Sequence, residues 1–298
     1  VTTARQRAAV AVAGGAITAV RLRRRLGLPP GVSTALCFTP AGAVLSGFPP
    51  SRARDAVVWT AQMLGYKTAF ELPNDDPDRL RERAHVDAVL RLDRLIGLGK
   101  PPGQRLQRWL RRPRTLTTVD RVLTFFYWTW EIEPHAVMAW IRWRHPDRFE
   151  AAARRLAATF DLTLAGYWAV PSAPPWWASE EGGRMDGDVK RVMDAVAASL
   201  KGKRRPLRRD HAVGANPFAA MPSDHFASAL MTAHLLDEID RRLGAAGLAY
   251  ALLLGFALVY LGEHYVVDLL AGAALAAAVD AADRRLSTKR ARAGLIDR

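Results

Sequence analysis

The stretch YLGEHYVVDLLAG, Tyr260 to Gly272, sets a histidine and an aspartate four residues apart within a nearly continuous apolar run. On a helix that spacing puts His264 and Asp268 on one face, about one turn apart. A carboxylate so placed accepts the proton of one imidazole nitrogen, which leaves the other nitrogen to act as nucleophile or base. An acid inside a membrane helix is costly unless used or paired. By itself the pair fits equally well as a polar link between two helices.

Outward from this stretch, Phe226 to Leu236, Ala245 to Leu261 and Tyr265 to Ala282 are nearly continuous apolar runs, broken by short polar punctuation such as Asp237 to Arg242. Runs of that length predict a membrane protein. The mean hydropathy of −0.05 reflects dilution by arginine-rich loops. The 298 residues are 50% hydrophobic and carry a formal net charge of +14, with arginine making up 37 of the 43 basic residues. Basic clusters at Arg21 to Arg25, Arg142 to Arg148 and Arg284 to Arg292 flank apolar runs, which points to lipid headgroups and membrane orientation rather than to nucleic acid. The single cysteine, Cys37, excludes an intramolecular disulfide and a multi-cysteine metal site. The Ala8 to Val20 run leads straight into arginines, so no cleavable leader is expected there.

Six spans are expected, at roughly 30–49, 121–143, 154–171, 225–241, 245–262 and 265–283. Ala8 to Val20 either replaces the first or lies beside it. Between the first two spans, Ser51 to Thr118 holds the amphipathic pieces DAVVWTAQMLGY, HVDAVLRLDRLIGLG and RLQRWLRR, suited to helices lying in the headgroup region. Charge counting puts Arg21–Arg25, Arg142–Arg148, Arg241–Arg242 and Arg284–Arg292 on the cytoplasmic side with both termini. The expected location is the plasma membrane, with the polar loops and the histidines on the outer face.

A second site strengthens the first. In NPFAAMPSDHFASAL, Ser223 suits the N-cap of the span that carries His225, and the amides after it form an anion-binding helix start. The chain descends from His225, turns at Asp237 to Arg242 and climbs back to His264, so both histidines reach one membrane face. Just upstream, the run from Lys201 to His211 holds Lys201, Lys203, Arg204, Arg205, Arg208 and Arg209. A phosphate-binding role accounts for so much positive charge on the outer side. Glu133 and His135, in FFYWTWEIEPHAVMAW, read as cavity-lining groups at a polar break more readily than as metal ligands.

These motifs resemble the type 2 phosphatidic acid phosphatase (PAP2) superfamily, especially its inositol phosphorylceramide synthase-like branch. AAMPSDH stands for the family's P-S-x-H motif, YLGEHYVVDLLAG for its H-x-x-x-D motif, and YWAVPSAPPWW, Tyr167 to Trp177, is similar to the proline-rich connection of that branch. The resemblance covers about 160 to 275. It implies that His264 is the nucleophile and forms a phosphohistidine, that Asp268 orients it, that His225 is the general acid, and that Ser223 and neighbouring amides hold phosphate oxygens, with no metal and no cofactor. Two basic positions of the wider family are absent: Ala198 and Leu258 stand where a lysine and an arginine are expected. Asp224, inside P-S-D-H, is unusual, and is expected to favour the imidazolium of His225 or to touch an acceptor sugar.

The expected fold is an all-α polytopic membrane bundle of about six transmembrane helices with an amphipathic interfacial segment. Residues 1–118 form an N-terminal span plus cap, and 119–298 the catalytic domain. The expected function is cleavage of a lipid phosphate or diphosphate ester, with the lipid substrate and membrane lipids as partners. Three alternatives stand beside it: a phosphotransferase to an alcohol acceptor, a prenyl diphosphate-processing, cyclase-like enzyme, and a non-catalytic lipid-binding relative.

Overall fold

The computed structural model describes residues 2–112, 115–185, 189–202 and 216–296, with side chains as far as Thr288. Among the described residues the chain is helical, and its β contacts are three isolated bridges. It opens with three long helices, α1 (Ala4–Leu22), α2 (Pro30–Gly47) and α3 (Arg52–Glu71). Thr3 and Gln6 form a reciprocal capping box on α1, Pro30 starts α2, and Ser51 caps α3. The three run up, down and up: Gly47 of α2 lies against Ala9 of α1, and Gly65 of α3 against the carbonyl of Cys37. Short helices follow, α4 (Pro77–Arg83), α5 (Asp87–Ile96) and α6 (Pro102–Leu110).

The next pass descends in two pieces, α7 (Thr118–Thr129) and α8 (Glu133–Arg144), and α9 (Phe149–Ala169) climbs back. Two short helices, α10 (Pro175–Glu180) and α11 (Val192–Leu200), precede the final three, α12 (Asp224–Asp237), α13 (Arg241–Leu261) and α14 (Val266–Ile296). Met231 and Leu235 of α12 pack with Met138 and Ile141 of α8 and Leu156 and Phe160 of α9 to form a buried cluster. Truncating one of these to alanine costs about 2–5 kcal/mol. α13, Arg241–Leu261, is the helix among the described residues that is long and apolar enough to cross a membrane by itself.

Several expectations change. The span expected at 121–143 is broken at Trp130–Ile132, where Pro134 permits a new helix start, and the span expected at 225–241 is a helix of 14 residues, about 21 Å long. The first amphipathic piece does not lie across the end of the bundle. It belongs to α3, which runs beside α9, where Gln62 donates to Asp161. Counting α1, α3 and the broken α7–α8 pass, the described residues make eight passes along the bundle, and their first and last helices begin and finish at one end.

The charge-based sidedness changes with them. Arg23 and Arg24 grip Asp75, just past the end of α3, at 2.6 and 2.7 Å, while Arg142 grips Asp55, near its start, at 2.8 Å. Those two points are about 30 Å apart along the helix. Arg21–Arg25 and Arg142–Arg148 therefore occupy opposite ends, not one side. Trp177, at the end of the proline-rich connection, is buried against Phe218.

Candidate active site

The site is assembled at the end of the bundle reached by the close of α13 and the start of α12. An extended strap holds it there: Ser172 donates its amide to the Phe218 carbonyl, the Ala220 amide returns a bond to Ser172, and the Met221 amide donates to Ser172 Oγ. On the strap's other side the His85 amide donates to Pro171. The proline-rich connection thus fixes the loop that enters α12.

Ser223 is fully buried, and its Oγ accepts the Phe226 amide as the N-cap. Its own amide donates to the carbonyl of Asp268 at 2.9 Å, which ties the start of α12 to the first turn of α14. Gly272 makes this approach possible, because any β-carbon there would meet the Ser223 carbonyl. Gly262, at φ 81°, ends α13 in the left-handed conformation and turns the chain toward His264.

These constraints bring the two histidines together. His264 Nε2 faces His225 Nδ1 at 3.3 Å, and Asp268 Oδ2 lies 3.4 Å from His264 Nδ1. Asp268 is fully buried and also accepts the Tyr265 amide at 2.8 Å. His225 is walled by aromatics, with Trp130 at 4.0 Å between ring centroids and Tyr127 stacked at 5.2 Å. Trp130 is itself fixed by donating to Ser228 Oγ on α12. A carboxylate, an imidazole and a second imidazole in line form an arrangement able to orient a nucleophile and hand over a proton.

The other expected residues are distributed differently. Asp224 accepts from Tyr66 at 2.6 Å and from Thr163 at 3.0 Å, and its amide donates to Tyr167 Oη. Its carboxylate therefore locks α3 and α9 to α12, and two amides of the expected anion cradle, those of Asp224 and Phe226, are already used. Glu133 accepts from Thr232, two turns along α12 from His225, and the exposed His135 accepts from Trp59. Neither reaches the histidine pair by these contacts. Lys201 is exposed at the end of α11, and Lys203, Arg204, Arg205, Arg208 and Arg209 lie outside the described residues.

One cation missed by sequence reasoning stands beside the site. Arg191 makes a two-pronged ion pair with Glu263, the residue before His264, at 2.7 and 3.1 Å, and its guanidinium lies 4.7 Å over the Trp176 ring. Burial opposes its charge, but the Glu263 carboxylate holds the Arg191 guanidinium above its ordinary pKa. The available signal was Glu263 itself, since an acid embedded beside a buried histidine calls for a partner.

No curated protein and no solved structure matched the chain. The family model described as the PAP2 superfamily matches residues 87–282, from the start of α5 into α14, and takes in both histidine motifs. That is about two thirds of the chain, and the chain belongs to the PAP2 superfamily.

Proposed function

We propose that the chain is a membrane lipid phosphatase acting through a phosphohistidine, within the phosphatase and phosphotransferase chemistry on phosphate esters that its superfamily supports. The observation that carries the reading is the line Asp268, His264, His225, with contacts of 3.4 and 3.3 Å. His264 Nε2 attacks phosphorus, and the bond to the lipid oxygen breaks as His225 gives that oxygen a proton. Water then attacks the phosphohistidine, His225 takes its proton, and inorganic phosphate leaves with His264 restored. Asp268 holds the ring and offsets the charge that develops on it. Phosphate oxygens meet Ser223, the basic run from Lys201 to Arg209, and Arg191.

The apolar side chains exposed along the bundle, including Leu162, Leu248, Leu252 and Phe256, support a lipid surround. We place both termini on the cytoplasmic side with Arg142, Arg148, Arg154 and Arg241, and the histidine end outside. A reporter fused after Arg298 and found outside overturns that orientation.

The test of function is phosphate release by the purified chain from phosphatidic acid, polyprenyl phosphate and polyprenyl diphosphate, with chelator present, compared with His264→Ala. Release confined to the unsubstituted chain is the expected result. Equal release by both proteins overturns the histidine mechanism, and preferred transfer to an added alcohol reassigns the chain to the phosphotransferases.

A further inference from the structure

Helix α5 carries an acid on its buried face while apolar side chains are left exposed. Leu95, Leu92 and Ile96 are exposed, Leu95 to 74%, whereas Asp93 sits on the buried face with Val89 and Leu90 and is 1% exposed. Val89 and Leu90 pack with Tyr265, the residue after His264, in one cluster with Ala178, Met185 and Val189. Asp93 Oδ1 accepts the amide of Val267, in the first turn of α14, and Asp93 Oδ2 is buried without a hydrogen-bond partner. Asp268, the next residue along α14, has a buried unpartnered oxygen of its own, Oδ1. Two buried carboxylates thus share the helix start that carries the histidine's orienting acid.

Such an arrangement costs stability. Burial pushes the Asp93 carboxyl up to about 6, with the Asp268 charge adding to it and the Val267 and Val266 amides opposing it. The charged group that acts on it is Asp268, and the neighbouring Tyr265 is faced by Asp93, Asp268, Asp87 and Arg94. Asp87 is engaged by Arg184 at 2.8 Å. A carboxylate serving only to dock α5 is replaceable by an apolar side chain among Val89, Leu90 and Tyr265, so its position against α14 calls for another role.

We propose that Asp93 is a positioning residue of the phosphoryl-transfer site: it caps the first turn of α14 and so holds Asp268, and through it the His264 ring, in register with His225. The inference rests on the reading of His264 and Asp268 as the nucleophile pair. It gives the amphipathic segment a part in catalysis, since α5 adds an acceptor for the Val267 amide to the helix start where Asp268 already takes the Tyr265 amide.

The test uses the full chain in detergent with Asp93→Ala and Asp93→Asn. Three readouts are taken: the pH titration of the His264 imidazole by nuclear magnetic resonance, assigned against His264→Ala; kcat and KM for lipid phosphate; and the thermal midpoint. Asp93→Ala is expected to shift the His264 titration and to lower kcat by about 10- to 100-fold with KM nearly unchanged, as misplacement of a reacting group does. Asp93→Asn keeps an acceptor for the Val267 amide, so it recovers most of kcat while its His264 titration moves through loss of a negative charge. A folded Asp93→Ala with an unshifted His264 titration and undiminished kcat overturns the inference. Should Asp93→Ala fail to fold, an unshifted His264 titration in Asp93→Asn overturns it instead. The titration needs no turnover, so absence of phosphatase activity on every substrate would count against the proposed function while the imidazole signal still decides the role of Asp93.

Discussion

Two clusters of buried acids, one at each end of this bundle, are partnered in opposite ways. At the end that gathers both termini, Arg155 of α9 joins Glu238, Asp280 and Asp283, at 2.6, 2.8 and 3.6 Å, while Arg154 and Arg284 take further oxygens of Asp283 and Asp280. Each of these three acids has a cation. At the histidine end, Asp268 and Asp93 stand close to one another without a guanidinium between them in the described contacts, and each keeps an unpartnered oxygen. Paired charge secures helices, whereas under-partnered charge is held at a cost and is available for chemistry.

Substitutions at the two ends should separate these roles. The largest effect belongs to His264→Ala, which should lower phosphate release by at least about 10³-fold while leaving the thermal midpoint within a few degrees, because it removes the proposed nucleophile and breaks no packing cluster. An active, stable His264→Ala would erase the distinction between the ends. Arg155→Ala should do the reverse: three acids lose their common partner, destabilising the fold by roughly 3 kcal/mol, while kcat of the folded protein is unchanged. Denaturant or thermal unfolding alongside kinetics reads both quantities.

Asp224→Ala lies between the two cases, since the residue touches Tyr66 and Thr163 but adjoins His225. Loss of those bonds should cost about 1–3 kcal/mol, with a smaller loss of kcat than at His264. A loss of kcat as large as that of His264→Ala would return Asp224 to the reacting groups.

The smallest expected effect is the pH dependence of Asp93. Its folded-state pKa of about 6 lies above the ordinary carboxylate value, so the folded chain binds that proton more tightly than the unfolded chain. Stability from this group is then greatest below about pH 4 and declines as pH rises to about 6. Asp93→Asn should therefore gain stability relative to the unsubstituted chain on going from pH 4 to pH 8, by on the order of 2 kcal/mol. A thermal difference independent of pH would place Asp93 with the fully paired charges of the other end.

Much of the site was legible because its signals are local. The His264–Asp268 spacing, the Ser223 cap and the alignment of His225 with His264 follow from helical period and from the turn at Asp237 to Arg242. Helix α3 was misread because a span lined by small and polar residues that pack on neighbours, such as Gly65 and Gln62, has no long apolar run to announce it. Asp224 was read from its neighbours in sequence, but its partners, Tyr66 and Thr163, come from two other helices. Arg191 and Asp93 escaped for the same reason.

The sequence by itself determined an all-helical chain with two histidine motifs and an orienting acid, because periodicity and capping act over one or two turns. Only the tertiary structure decided which arginines share an end, what Asp224 serves, and that α5 reaches the turn after His264. Those outcomes depend on which helix faces pack together, and contacts between residues far apart in the chain leave no periodic trace in it.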